Sequence, residues 1–159
     1  MTNWELIMQA SEIYAALKEP YSPNVIHWRV GSTNAKKLGC KPWEATKGIA
    51  LAYIDARDVM KRLDDVVGME NWQCKYPFAG CCELSIKIDG EWITKANLAG
   101  ETQVEAEKGQ ASDAFKRAAV LFGVGRYLYY LPNTWCDLEN GRIKKNPILP
   151  PWALPQENK

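Results

Sequence analysis

The chain has 159 residues and a formal net charge of +1, a length typical of one domain with a hydrophobic core. Hydrophobic residues make up 47% and charged residues 25%, ordinary values that exclude a disordered or fibrous chain. No apolar run approaches the roughly 20 residues needed to span a bilayer, and the N-terminus lacks the layout of a secretion signal. We therefore expect a cytoplasmic protein.

The cysteines do not follow a pattern typical of disulfides or of a zinc site. Their number is odd and no C-x-x-C pair occurs, so we predict reduced and mostly buried thiols and no metal centre. The cysteines are Cys40, Cys74, Cys81, Cys82 and Cys136.

Charge is segregated along the chain although the total is near zero. Residues 25–62 carry eight basic and three acidic side chains, residues 83–113 carry three basic and seven acidic, and residues 116–145 carry six basic and two acidic. Two basic blocks thus flank an acidic one. If the fold brings the basic blocks together, they form a positive face, a common feature of nucleic-acid-binding proteins.

The first third of the chain predicts one helix and two extended segments. Apolar residues at helical spacing indicate an amphipathic helix over 4–18, which Pro20 ends. Extended segments are predicted at 25–30 and 48–54. Between them we expect a turn or loop at 31–34 and then a loop with several lysines.

The middle of the chain predicts a helix followed by a β-meander. Asp55 is suited to cap a helix that runs to about residue 67, where Gly68 stops it. Three strands follow at about 71–78, 81–88 and 91–98, and Asp89-Gly90 is a strong hairpin signal. Alternation in the second strand predicts one core face and one wet face.

A helix is predicted over 104–122, ended by Gly123, and the chain beyond residue 131 is rich in proline. The predicted fold class is therefore α+β, with a β-β-β-α core in which a three-stranded antiparallel sheet packs on the long helix, preceded by an extra N-terminal helix. We assign residues 1–131 to one functional domain and residues 132–159 to an extended proline-rich tail.

The sequence offers little support for catalysis. It contains no G-x-x-x-x-G-K-[ST] loop for nucleotide phosphates, and its only histidine, His27, lies in a strand pattern typical of packing. Glu101 and Glu105 lie at the start of the predicted helix, where acids complement the helix dipole. We expect a protein that is not an enzyme and needs no cofactor.

Basic and aromatic residues favour nucleic-acid binding instead. Lys116 and Arg117 are adjacent on the side of the predicted helix away from Phe115, where phosphates can approach. Trp28-Arg29 combines an aromatic ring with a cation, which suits base stacking and contact with the backbone. Each feature alone also fits a structural role, in the core or on a solvated surface.

Two stretches together resemble the Rad52 family of single-strand annealing proteins. The first is Tyr53-Ile-Asp-Ala-Arg57-Asp-Val, continued to Asn71-Trp72, and the second is Ser112-Asp-Ala-Phe-Lys116-Arg117-Ala-Ala-Val-Leu-Phe122-Gly123. The meander between them matches in length, and the likeness covers roughly residues 48–131. The short chain is similar to the phage version of the family. The resemblance implies ATP-independent annealing of single-stranded DNA in recombination, by a homo-oligomeric ring with a positive groove.

The resemblance also implies site residues. Arg57, Lys116 and Arg117 match basic residues that line the inner DNA groove, and Lys108 matches a basic position earlier on the same helix. From charge and expected proximity we add further candidates, namely Arg29, Lys47, Arg126 and Trp28.

The chain also departs from the family pattern. Val120 stands where eukaryotic members carry another groove arginine, and Arg126 is a candidate to replace that charge. We do not expect a counterpart of the long C-terminal region with which those members bind partner proteins. The expected partners are DNA, further copies of the chain, and a phage exonuclease or single-strand binding protein in the cytoplasm of a bacterial host.

Two other functions stay open at this point. One is a small Mg²⁺-dependent nuclease that uses Glu101, Glu105 and Asp64. The other is a duplex-RNA binding module, since a three-stranded sheet with a helix suits that function as well.

Overall fold

The computed structural model describes residues 3–100 and 106–156, with side chains for residues 9–100 and 109–156. In chain order, the elements are α1 (Asn3–Leu17), β1 (His27–Thr33), α2 (Ala35–Leu38), β2 (Lys47–Tyr53), α3 (Ala56–Val67), β3 (Trp72–Lys75), β4 (Cys81–Ile88), β5 (Glu91–Leu98), α4 (Ala106–Leu121), β6 (Thr134–Glu139) and β7 (Arg142–Ile143). The predicted α+β class is confirmed. Among the described residues, no helix is both long and apolar enough to cross a bilayer.

The chain forms two compact units, where the sequence predicted a single core. Unit 1 consists of Met1–Glu19 and Asp55–Arg126, and unit 2 of Pro20–Ile54 and Tyr127–Lys159. Unit 1 contains the sheet β3-β4-β5, and unit 2 contains the sheet β1-β2-β6-β7. The second sheet was not foreseen, because its strands lie on either side of unit 1 in the sequence.

Helix α3 has the ends that the sequence predicted. Asp55 is its N-cap, and the backbone N–H of Asp55 donates to Oδ2 of Asp58 at 2.9 Å in a capping box. Gly68 ends the helix with φ of +90°, a conformation that glycine adopts without strain. Val59 and Leu63, which face the core, are 1% and 0% exposed.

Arg62 joins α3 to the C-terminal end of α1. Its Nη1 donates to the backbone carbonyls of Leu17 at 3.0 Å and of Glu19 at 2.7 Å, with a longer contact of 3.3 Å to Ala16. The last carbonyls of a helix lack partners within the helix, so a half-buried guanidinium here supplies both hydrogen bonds and a favourable charge. This arginine therefore helps to hold the C-terminal end of α1 against α3.

The β-meander of unit 1 follows the predicted order. Asp89 and Gly90 have φ of +53° and +80°, as a two-residue type I′ hairpin requires. The first strand is shorter than predicted, since β3 ends at Lys75. The side of β4 that was predicted to face solvent is partly buried. Ser85 on that side is 8% exposed, and its hydroxyl is 2.7 Å from the hydroxyl of Thr94 on β5.

Helix α4 packs across β4 and β5 through small residues. Ala114, Ala118 and Ala119 are fully buried, and Phe115 and Phe122 are 4% and 3% exposed. Helix α4 is described from Ala106 to Leu121, so the predicted start at 104 lies outside the described residues. Gly123, with φ of +99°, follows the helix.

The sheet of unit 2 begins with the two extended segments that the sequence predicted. β1 pairs antiparallel with β2, with Val30 opposite Ala50 and Thr33 opposite Gly48, so that β1 contains a bulge. The turn or loop predicted at 31–34 is wrong for residues 31–33, since β1 continues through Thr33. Asn34 then joins the two ends of the loop between β1 and β2, because its Oδ1 accepts from the backbone N–H of Lys47 at 3.2 Å.

Residues 134–143 are not an extended tail. β6 pairs antiparallel with β2, and Asn140-Gly141, with φ of +53° and +76°, turns the chain into β7. Cys136 and Leu138 are buried while their neighbours are exposed, the alternation of a half-buried strand. This pattern was missed because prolines surround it. The functional division at residue 131 stays a prediction.

The thiols of Cys74 and Cys82 lie close together on β3 and β4. All five cysteines are free, as predicted, and three of them are buried. A hydrogen bond from Cys82, with a smaller one from Tyr76, lowers the pKa of the half-exposed Cys74 to about 6. Hydrogen bonding to Cys74 and burial raise the pKa of Cys82 well above its usual value.

We expect Arg62→Ala to lower the free energy of unfolding by about 2 kcal/mol, because it removes charge-assisted hydrogen bonds to the end of α1. Urea unfolding followed by circular dichroism measures this. Lys61→Ala is the matched control, since it removes only the exposed i,i+4 pair with Asp65 and should cost about 0.5 kcal/mol or less. Equal losses in the two variants would contradict the capping role.

We expect Cys74 to react with iodoacetamide at a rate that rises through a midpoint near pH 6, because only the thiolate is nucleophilic. Mass spectrometry of the labelled peptide gives the midpoint. In Cys82→Ala the midpoint should move up towards that of an ordinary thiol. Cys82→Ser retains a donor and should leave it low, so an unchanged midpoint in the alanine variant would refute the hydrogen-bond origin.

Candidate nucleic-acid interface

Lys116 and Arg117 lie side by side on α4. Lys116 is half-buried and Arg117 is exposed, whereas Phe115 and Ala118 beside them are buried. The buried residues therefore determine which side of the helix carries the two cations. The prediction that they lie away from the core face is confirmed by these exposures.

Arg117 has an acidic neighbour within its own helix. Its Nε donates to Oδ2 of Asp113 at 3.1 Å, an i,i+4 pair in which the two side chains are 49% and 37% exposed. Exposed pairs of this kind contribute about 0.3–0.5 kcal/mol. Such a pair orients the guanidinium at little energetic cost, and a phosphate can replace the carboxylate.

The C-terminal end of α4 carries two further cations. Arg126 donates from Nε to the carbonyl of Val120 at 3.0 Å and from Nη2 to that of Leu121 at 2.9 Å. Lys95 from β5 donates to the carbonyl of Leu121 at 3.2 Å. Arg126 was proposed as a replacement for a groove charge, and the structure gives it a helix-capping role, which sequence reasoning missed.

Arg57 lies in the first turn of α3 and is exposed. A cation at this end is disfavoured, because the helix dipole is positive there. Asp55 and Asp58 flank it and offset part of that cost. A basic residue at a position where it does not help the helix favours a role in binding.

Two predicted groups fall wholly or partly outside the described residues. Lys108 belongs to α4 and precedes Lys116 by two turns, about 12 Å along the axis, but its side chain is not described. Of the acids proposed for a nuclease, Glu101 and Glu105 lie outside the described residues. Asp64 is engaged within unit 1, because its Oδ1 accepts from Nε1 of Trp72 at 2.7 Å.

The remaining candidates lie on the sheet of unit 2, and the strand register separates them by face. Trp28 lies opposite Ala52 and Arg29 opposite Leu51, so the two point to opposite sides of the sheet. Trp28 is half-buried on the side that contains the buried Ala50, whereas Arg29 is exposed.

Lys47 shares the side of Arg29 and pairs with an acid. It lies directly opposite Asp137 on β6, and its Nζ donates to Oδ1 of Asp137. This contact lowers the pKa of Asp137 below its usual value. The structure thus places Lys116, Arg117, Arg57 and Arg126 in unit 1, and Arg29 and Lys47 on one sheet face in unit 2.

Comparison with known proteins identifies the family. A profile described as Rad52/22 family double-strand break repair protein matches residues 9–85 and 79–146. The chain belongs to the Rad52/22 family. The resemblance seen in the two sequence stretches is thereby confirmed and extends over most of the chain.

Two curated relatives carry the name single-stranded DNA-binding protein DdrA. The protein from Deinococcus radiodurans is 33% identical over 159 residues, which cover 96% of this chain and 72% of the relative. The protein from Deinococcus deserti is 31% identical over 163 residues, which cover 96% of this chain and 75% of the relative.

We expect Asp113→Asn to raise the affinity for a single-stranded oligonucleotide about twofold to fivefold. In this variant a phosphate that binds Arg117 does not have to displace the carboxylate of Asp113. Fluorescence anisotropy at low salt measures the change. Asp65→Asn is the control, since it removes one acid from the Lys61 pair on α3 with the same change in net charge. Similar gains in both variants would assign the effect to net charge alone.

Proposed function

We propose that this protein binds single-stranded DNA and anneals it to a complementary strand without ATP, in DNA recombination and repair. The observation that carries the proposal is the Lys116–Arg117 pair, held on α4 by the burial of Phe115 and Ala118 in a chain of the Rad52/22 family. The names of the two relatives support single-stranded DNA as the ligand.

In the proposed mechanism the cations of α4 and Arg57 grip phosphates, and the base edges face away from the protein. Contacts of this kind position a strand without reading its sequence. The bound strand is kept free of hairpins and its charge is partly neutralised, so a second strand can pair with it. ATP is not needed, because duplex formation is already downhill by about 1.4 kcal/mol per stacked step.

The other candidate residues contribute to DNA binding in different ways in this proposal. Arg29 and Lys47 contribute from the sheet of unit 2, and Lys108 from an earlier turn of α4. Arg126 acts mainly by holding the end of α4 through its bonds to Val120 and Leu121. Trp28 contributes by packing more than by contact with bases, since it is half-buried.

We further propose assembly into a homo-oligomeric ring. The acidic block at 83–113 and the basic blocks at 25–62 and 116–145 suit head-to-tail contacts between copies. Tyr129 and Tyr130 are 70% and 71% exposed, as expected of side chains that a neighbouring copy covers in the ring. A phage origin and a partner exonuclease or single-strand binding protein stay predictions from the resemblance.

The decisive experiment is the annealing of two complementary fluorescent oligonucleotides in the absence of nucleotide. We expect the wild-type chain to accelerate annealing and Lys116→Ala/Arg117→Ala to lose at least about tenfold of that acceleration, since two phosphate contacts disappear. Lys61→Ala/Lys87→Ala removes the same charge from exposed positions and should retain it. No acceleration by a folded wild-type chain would refute annealing.

Salt dependence tests the groove model separately. Binding that neutralises several phosphates should weaken steeply between about 50 and 200 mM salt, and the slope should become shallower by about one for each cation removed. A flat response in the wild-type chain would contradict binding through phosphates.

A further inference from the structure

The sheet of unit 2 has one inner face and one outer face, which the register defines. Opposite residues in antiparallel strands share a face, so Ala50, Gly48 and Cys136 form part of the inner face. All three are buried. The outer face is defined by the alternate residues of β1, β2 and β6, namely His27, Arg29, Lys47, Ile49, Leu51, Tyr53, Trp135, Asp137 and Glu139.

Every residue of the outer face is exposed or half-exposed, although the face has an unusual composition for a wetted sheet. Trp135 on β6 lies opposite Ile49 and is 54% exposed. The rings of His27 and Tyr53 pack against each other at an interplanar angle of 30°, with their centroids 5.3 Å apart. A large indole left in water on a regular strand is not explained by folding, since the same strand buries Cys136 and Leu138 on its other side.

The charges of the outer face indicate what covers it. Arg29 on β1 and Lys47 on β2 are exposed. The two acids of the face lie on β6, where Asp137 pairs with Lys47 and Glu139 lies opposite Arg142 of β7. β1 and β6 flank β2, so their side chains are separated by about 10 Å. An exposed indole with cations on the same face of the sheet matches a base with its phosphates, whereas an apolar protein surface would leave Arg29 without a partner anion.

We infer that the outer face is a base-stacking platform for single-stranded nucleic acid, with Trp135 as the stacking residue and Arg29 as a phosphate contact. The inference rests on the proposed function and deepens it. It adds to phosphate binding a contact with the bases themselves, through their aromatic faces. Stacking leaves the pairing edges of a base exposed, so the platform is compatible with annealing.

The test compares two strands of equal length, one of thymidines and one of abasic sugar-phosphate units, by anisotropy at constant salt. The wild-type chain should prefer the thymidine strand. In Trp135→Ala the affinity for that strand should fall about tenfold, with little change on the abasic strand. Trp135→Phe should retain most of the preference, because phenylalanine also stacks.

The control is Trp152→Ala, which removes a tryptophan of similar exposure, 52%, from a 3₁₀ helix outside the sheet. Equal losses on the two strands, or no loss in Trp135→Ala, would overturn the platform. A change of oligomeric state in light scattering with unchanged DNA affinity would also overturn it, in favour of a contact between copies. Failure of the wild-type chain to bind either strand would instead refute the proposed function.

Photo-crosslinking gives a second readout that does not depend on a variant folding. A strand with 5-bromouracil in place of thymine should crosslink, under ultraviolet light, to the peptide that contains Trp135. Crosslinks confined to peptides of unit 1 would contradict the assignment.

Discussion

The architecture of unit 1 depends on the close approach of α4 to β4 and β5. Three alanines, Ala114, Ala118 and Ala119, have no exposed surface, and side chains of that size let the helix axis lie near the sheet. Tight packing fixes the rotation of a helix about its own axis. Since Lys116 and Arg117 are covalent neighbours of buried residues, the core determines which side of α4 they occupy. The packing that forms the core of unit 1 therefore also determines where these two cations lie.

The cations of the chain differ in how firmly they are held. Arg62 and Arg126 bond to the backbone carbonyls of helix ends, where guanidinium groups stabilise the fold. Arg117 and Lys47 meet single carboxylates at exposed positions, and such contacts are weak. The first group is committed to structure, while the second can exchange its partners. A net charge of only +1 therefore understates how much positive charge is available to a polyanion.

Local signals in the sequence predicted the elements of unit 1 well. The Asp55 cap, the Asp89-Gly90 hairpin and the side of α4 that carries Lys116 all follow from rules that span a few residues. The second sheet depends on pairing between β2 and β6, which no local rule reveals. Its own signals were present, since Asn140-Gly141 is also a hairpin signal, but the nearby prolines favoured a tail. The inward direction of Trp28 and the outward direction of Trp135 could not be predicted, because strand alternation alone does not say which side is covered.

The split of unit 2 across the sequence has a consequence for biosynthesis. The paired residues Ala50 and Thr134 are separated by roughly 80 residues, so closing this sheet carries a large loop entropy and follows the local hairpins of unit 1. During synthesis from the N-terminus, β2 emerges long before the strand that completes its edge. An unpaired edge next to apolar side chains favours aggregation. The nascent chain is therefore most prone to aggregation while unit 1 is already folded and β6 has not yet left the ribosome.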